Sequence, residues 1–164
     1  MSTTTLDLKR TYKTIKIFSV VQFGLVALLA YTAFEFQQRL LELGRGNNFM
    51  YAVIAASLVQ LLLFFPIKKF AAKEADRDLY LATTTLSKEE TKAFAKKKRF
   101  SDIIKMSTFS FFVIFLVAAP GTPAAPGDPF VLSVIYYSFI LTILSYLQCY
   151  NFSAKRLMKE RSIA

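Results

Sequence analysis

The sequence predicts an all-α, polytopic membrane protein with four transmembrane helices arranged as two helical hairpins. Four apolar runs indicate this fold class, and they cover approximately residues 17–36, 50–67, 103–119 and 130–150. Each run meets the length of about 17 to 25 residues that a helix needs to cross the hydrocarbon core. The chain has 164 residues, 54% of them hydrophobic, so we predict a single membrane domain over residues 1–164 with no added soluble domain.

The first run also fits a secretory signal peptide. An apolar core at 17–30 is followed by the small residues Ala30 and Ala33, which is the order found at signal cleavage sites. The apolar stretch continues through Phe34 and Phe36, however, and is longer than a typical signal core. We therefore favour an uncleaved transmembrane helix.

One face of the first span carries small and polar residues. Gly24, Ala27, Tyr31 and Glu35 recur at helical spacing, and such residues drive helix association in lipid. We expect this face to contact protein. Glu35 lies four residues before Arg39, so a local ion pair is the favoured interpretation and a cation or proton site is the alternative.

The second span is expected to follow a polar turn and to continue past the membrane surface. Residues 43–48 contain two glycines and two asparagines, a composition typical of turns. Ala52, Ala56 and Gln60 form a second packing face, and Gln60 is expected to make an interhelical hydrogen bond. Residues 71–81 are rich in helix formers, which predicts a helical extension beyond the span.

An inner basic helical hairpin is predicted at about residues 68–102. Ser87 and Glu90 have the spacing of a capping box, so a helix should begin at Lys88 and run into the third span. This helix carries four consecutive basic residues, Lys96, Lys97, Lys98 and Arg99. They are candidates for binding anionic lipid headgroups or a partner, although a signal that only orients the helices is the favoured interpretation.

The distribution of Lys and Arg predicts the topology. Basic residues are concentrated at 9–16, 68–105 and 155–161, while the two remaining connectors hold few. By the positive-inside rule, both termini and the central segment face the cytoplasm or its equivalent. The host membrane would be a bacterial inner membrane or a eukaryotic equivalent, and the sequence does not distinguish them.

Span four has a line of polar residues on one face. Ser138, Thr142, Ser145 and Cys149 recur at spacings of four, three and four residues, so they share a helix face. Packing against a neighbouring helix is the expected role, because Ser and Thr serve that purpose in membrane helices. Lining of a pore is the alternative.

The residue inventory gives no support for catalysis, a metal or a cofactor. The chain contains no histidine, one cysteine and no phosphate-binding glycine loop, which removes the usual nucleophile–base pairs and metal ligands. The net charge of +10 is attributed to membrane orientation rather than to nucleic-acid binding. We therefore expect a protein that is not an enzyme, has no cofactor and binds no nucleic acid.

Two function classes are compatible with these observations. The first hypothesis is a small non-catalytic membrane subunit or accessory or assembly protein that acts through helix contacts and the basic hairpin. Its partners would be the bilayer, anionic lipid headgroups and a membrane protein, either an unlike subunit or a second copy. The alternative is a homo-oligomeric channel or small transporter with a polar path along the fourth helix.

Overall fold

The computed structural model describes residues 4–83, 88–118 and 128–163, and this part of the chain contains four α-helices and no strand. The helices are α1 (Thr4–Glu42), α2 (Asn47–Thr83), α3 (Lys88–Ala118) and α4 (Pro129–Ile163). With 39 residues, α1 is about 58 Å long at about 1.5 Å per residue, nearly twice a hydrocarbon core of about 30 Å. The helices therefore extend well beyond the predicted spans, and the predicted extension of α2 and the predicted start of α3 at Lys88 are confirmed.

Three helices of the described part, α1, α2 and α4, are long and apolar enough to cross a membrane. Only 6% of the apolar window of α1 and 11% of that of α2 is buried, against 28% for α4. The exposed apolar side chains suit contact with lipid, and α4 is the most enclosed of the three. The predicted span at 103–119 lies partly outside the described residues, as do Ser87 of the predicted capping box and most of the proline-rich connector at 120–129.

The chain divides into two compact units. One contains Met1–Thr83 and Asp128–Ala164, and the other contains Thr84–Gly127. The first unit therefore holds α1, α2 and α4, and the second holds α3. The predicted hairpin at 68–102 is divided between them at Thr83.

A Schellman motif ends α1 and begins the turn to α2. The Arg45 N–H donates to the Leu40 carbonyl (2.8 Å), and the Gly44 N–H donates to the Leu41 carbonyl (2.9 Å). Gly44 has a φ of +69°, a conformation that is costly for a residue with a Cβ. The turn predicted from the glycines thus depends on Gly44, whereas Asn47 already belongs to α2.

At the other end of the chain, Asp128 caps α4. Its Oδ1 accepts the Phe130 N–H (3.0 Å) and Pro129 takes the first helical position, which are the residue types preferred at these two positions. Arg45 Nη1 lies 3.7 Å from Asp128 Oδ2. This exposed ion pair joins the α1–α2 turn to the start of α4.

The contacts between α4 and α2 show that these helices run in the same direction. Near their starts, the rings of Phe49 and Tyr137 lie 6.5 Å apart. Further along both helices, the Tyr150 hydroxyl donates to Asp78 Oδ2 (2.9 Å). Residue numbers therefore increase together along α2 and α4, and the two helices are parallel.

Helix α1 packs against α4 in the opposite direction. The rings of Phe36 and Tyr136 are 5.6 Å apart, and those of Phe18 and Tyr150 are 5.0 Å apart. The end of α1 thus lies beside the beginning of α4. Because of these directions, the start of α1 and the ends of α2 and α4 meet at one end of the unit.

A hydrophobic cluster occupies that end of the unit. Its buried members are Ile15, Ala71, Ala75, Leu79, Tyr150, Ala154 and Met158. These residues alternate along the chain with Lys13, Lys16, Lys73, Lys155 and Arg156, which are exposed. The packed core of the three helices is therefore surrounded by positive charge, and we call this region the basic end.

Within this unit, α1 does not pack through the face that carries its small residues. Gly24, Ala27 and Tyr31 are exposed, and no atom lies within 4 Å of a Cβ built on Gly24. The buried face carries Phe36 and Leu40 instead. The physical reason is that α4 presents tyrosine rings, which pack against large side chains and need no small residue. On α2, by contrast, the alanines of the predicted face are buried, as their spacing predicts.

Candidate functional site

Inside the spans, one amide joins α2 to the polar line of α4. Gln60 Nε2 donates to Ser145 Oγ (2.5 Å), and Thr142 Oγ1 donates to Gln60 Oε1 (3.3 Å). Both functional ends of the amide are therefore used within the unit. In lipid such bonds hold helices together, because no water competes for the polar groups.

The other two members of the polar line have different surroundings. Ser138 Oγ is buried and has no hydrogen-bond partner among the described residues. Cys149 is half-buried and lines a groove between α1, α2 and α4. The four residues share a helix face, but only Thr142 and Ser145 bond to α2.

A second set of amides joins α4 to α1. Asn151 Nδ2 donates to Gln22 Oε1 (3.3 Å), and Gln22 Nε2 donates to Gln148 Oε1 (2.8 Å). The three amides form a directed chain in which each group donates to the next. Hydrogen bonds linked in this way polarise one another.

The groove beside this amide chain has a volume of about 330 Å³. It is lined by Gln22, Val26, Phe64, Leu144, Ser145, Gln148 and Cys149. Its walls are mainly apolar and it is open on one side rather than enclosed. It lies in the half of the spans nearer to the basic end, because Gln148 and Cys149 are at the end of the predicted fourth span.

The basic end contains a buried ionic group. The Glu74 side chain is 2% exposed, and its Oε1 lies 3.0 Å from Arg77 Nη2. The same guanidinium nitrogen lies 3.5 Å from Asp78 Oδ1, and the Asp78 side chain is 34% exposed. Both carboxylates are one turn apart on α2, so a single arginine can reach both.

Two tyrosines of α4 complete this ionic group. The Tyr146 hydroxyl donates to Glu74 Oε2, and the Tyr150 hydroxyl donates to Asp78 Oδ2 (2.9 Å). The Tyr146 ring also lies 6.0 Å from that of Phe70. We call these five residues, Glu74, Arg77, Asp78, Tyr146 and Tyr150, the ionic cluster, and it joins α2 to α4 at the basic end.

Chemically, the arrangement joins neighbouring helices through paired polar groups. In the ranges that the structure describes, no group of three or more metal-ligating side chains comes together. The buried Glu74 carboxylate is already engaged by a cation and a hydroxyl, which leaves it poorly suited to act as a base. The carboxylate and amide groups instead fix the register of α2 and α1 on α4.

The remaining predicted site residues lie apart from these groups. Glu35 is half-buried and, within the described part of the chain, forms no ion pair, so the pair expected with Arg39 is not observed. Lys96, Lys97, Lys98 and Arg99 are exposed on α3. Near them on α3, Lys105 and Asp102 form an exposed ion pair (3.9 Å).

Sequence reasoning missed the ionic cluster and the amide chain. Glu74 and Asp78 are four residues apart on α2, and Tyr146 and Tyr150 are four residues apart on α4. Two carboxylates on one helix and two hydroxyls at the same spacing on another are the sequence signal for this pair of hydrogen bonds. The signal predicts the pairing only when the two helices are known to be parallel.

The fold and the site together define the class of this protein. It is a helical protein with three candidate membrane-spanning helices, and polar side chains join these helices to one another. No protein family's sequence profile matches the chain, and no curated protein or solved structure is significantly similar to it.

Proposed function

We propose that the chain is a small, non-catalytic integral membrane subunit or accessory protein that crosses the membrane four times as two helical hairpins. The observation that carries this proposal is that the polar side chains between α2 and α4 bond to one another. Thr142 donates a hydrogen bond to Gln60 and Ser145 accepts one from it, as packing residues do. A water-filled path along this face would require those groups to face water instead.

The direction of the helices supports the fourth span. If α2 and α4 both cross the bilayer and run in the same direction, residues 84–127 must cross back between them. The α3 helix is in that segment and has 31 residues, about 46 Å at about 1.5 Å per residue. This exceeds the hydrocarbon thickness of about 30 Å.

The basic end supports the proposed orientation. The start of α1 and the ends of α2 and α4 share one hydrophobic cluster and carry exposed lysines. By the positive-inside rule this end faces the cytoplasm or its equivalent. The proposed topology assigns residues 96–99 to the cytoplasmic side as well, where their positive charge would be available to an acidic partner or to anionic lipid headgroups.

Cysteine labelling tests the topology in a Cys149→Ser background. We expect Asn47→Cys and Thr122→Cys to react with a membrane-impermeant maleimide from the outside only, and Lys155→Cys to react from the inside only. Labelling of Thr122→Cys from the inside would remove α3 as a span.

Affinity purification from the native membrane tests the function. A subunit should retain an unlike protein in gentle detergent and should leave liposomes impermeable when reconstituted alone. A closed homo-oligomer that conducts ions or small solutes would instead establish the channel or transporter alternative. A triple Ser138→Ala, Thr142→Ala, Ser145→Ala variant that assembles normally but loses flux would assign the path to α4.

A further inference from the structure

The groove between α1, α2 and α4 is lined at one end by the amide of Gln148, an exposed residue. Gln148 Oε1 accepts the Gln22 amide, while Gln148 Nε2 donates to no acceptor in the described part of the chain. Because Asn151 donates to Gln22 and Gln22 donates to Gln148, the chain of amides has its free donor at the groove. A ligand there should therefore supply an oxygen acceptor.

A cation lies at the same end of the groove. Lys68 is one helical turn after Phe64 on α2, so it shares the helix face that lines the groove. Its ammonium is close enough to interact electrostatically with Cys149, a lining residue. Lys68 is exposed, and no carboxylate within the described ranges pairs with it. The groove thus has a cation within electrostatic range of Cys149, the residue that follows Gln148 in the chain.

The walls of the groove suit a hydrocarbon chain. Val26, Phe64 and Leu144 line it, and its volume of about 330 Å³ is at the lower end of the range of about 300 to 1,000 Å³ for ligand pockets. All three residues lie within the predicted spans, so in the proposed topology the groove is at the depth of the hydrocarbon core. An acyl chain can reach it at that depth without crossing water.

We propose that this groove binds one anionic phospholipid from the leaflet at the basic end. Its acyl chain lies between Val26, Phe64 and Leu144, its ester oxygen accepts the Gln148 Nε2–H, and its phosphate pairs with Lys68. The site rests on the proposed membrane orientation but requires no particular protein partner.

Cys149, the only cysteine in the chain, reports occupancy of the groove in the unmodified protein. The full chain in maltoside micelles is titrated with phosphatidylglycerol or with phosphatidylcholine of the same acyl chains, and alkylation of Cys149 by N-ethylmaleimide is followed by mass spectrometry. We expect phosphatidylglycerol to slow alkylation at a lower concentration than phosphatidylcholine. Inorganic phosphate alone should give no protection, because it lacks the acyl chain.

Two neighbouring lysines provide a matched pair of variants. Lys68→Gln should raise the half-protecting concentration of phosphatidylglycerol about fivefold, the effect of one basic residue near an anionic headgroup. Lys69→Gln removes the same charge from a different face of α2 and should leave that concentration unchanged. Gln148→Leu should weaken protection by both lipids, and unchanged helicity by circular dichroism shows that each variant is folded.

Equal protection by the two lipids, or equal effects of Lys68→Gln and Lys69→Gln, would overturn the headgroup contact and with it the site. Protection that rises with protein concentration in the absence of lipid would mean that a second copy covers the groove, and would also overturn it. Labelling of Asn47→Cys reports orientation separately. Loss of lipid protection with the expected orientation therefore rejects the lipid site alone.

Discussion

Glu74 is a carboxylate whose side chain is 2% exposed, although carboxylates are rarely fully buried unless they are paired. Its partners are Arg77 on the same helix and Tyr146 on α4. Removing one partner from a buried pair costs more than the pair contributes, because an uncompensated charge remains. The stability of the basic end should therefore be sensitive to Arg77.

Arg77→Gln should lower the free energy of unfolding by about 2 to 4 kcal/mol. Lys73→Gln, an exposed cation one turn earlier on α2, should change it by less than about 0.5 kcal/mol. Unfolding in mixed micelles, followed by circular dichroism, measures both. Equal losses for the two variants would show that net charge matters and the ionic cluster does not.

The two serines on the polar line of α4 should respond differently to alanine. Ser145→Ala removes the acceptor of Gln60 and should cost about 0.6 to 1.7 kcal/mol, the range measured for hydrogen bonds between membrane helices. Ser138→Ala removes a buried hydroxyl that has no partner among the described residues, so it should be neutral or slightly stabilising. The same unfolding assay applies, and the opposite order would contradict the contacts of Gln60.

At the scale of the elements, the start of α4 depends on Asp128. Asp128→Ala removes the cap on the Phe130 N–H and should cost about 1 kcal/mol. Asp128→Asn retains a capping oxygen but loses the exposed ion pair with Arg45, which contributes little. We expect the melting temperature to fall for the alanine variant and to stay near the wild-type value for asparagine. A fall of equal size in both would assign the stabilisation to the ion pair.

The helices themselves could largely be predicted from the sequence. Helix formers predicted the extension of α2 and the capping-box spacing predicted the start of α3 at Lys88, because these signals are local. The rotation of α1 was not predictable in this way. Its contact face is set by the tyrosines of α4, which are more than 90 residues away in the chain, and the small residues of α1 lie on another, exposed face.

The candidate site was predictable in part for the same reason. Gln60 and the polar line of α4 stand out as polar residues in apolar runs, and the structure brings Gln60 to Thr142 and Ser145. The ionic cluster depends on the register between α2 and α4, which brings residues beyond the second span to the last turns of the fourth span. No periodicity within either helix encodes that register.

At the scale of the whole molecule, the contribution of the four consecutive basic residues of α3 to lipid binding can be compared with that of four lysines on other helices. Replacing Lys96, Lys97, Lys98 and Arg99 with glutamine should weaken binding of the purified protein to anionic vesicles, more strongly at low salt than at high salt. A control variant has glutamine at Lys13, Lys16, Lys155 and Lys159. If vesicle binding falls equally in both variants, or in neither, the four basic residues of α3 serve only to orient the helix in the membrane.

Helix α4 packs against both α1 and α2 but is synthesised last, and this order affects how the protein is assembled in the membrane. When α1 and α2 have left the ribosome, the Gln60 amide still lacks Thr142 and Ser145, its partners on α4, and Glu74 is paired with Arg77 but lacks the Tyr146 hydroxyl. The nascent protein must keep these contacts incomplete at the membrane until the last 35-residue helix emerges. We expect a chain truncated at residue 127 to be degraded rapidly in pulse-chase labelling and to be rescued by co-expression of residues 128–164. A long-lived truncated chain would mean that α1 and α2 form a stable pair without their third helix.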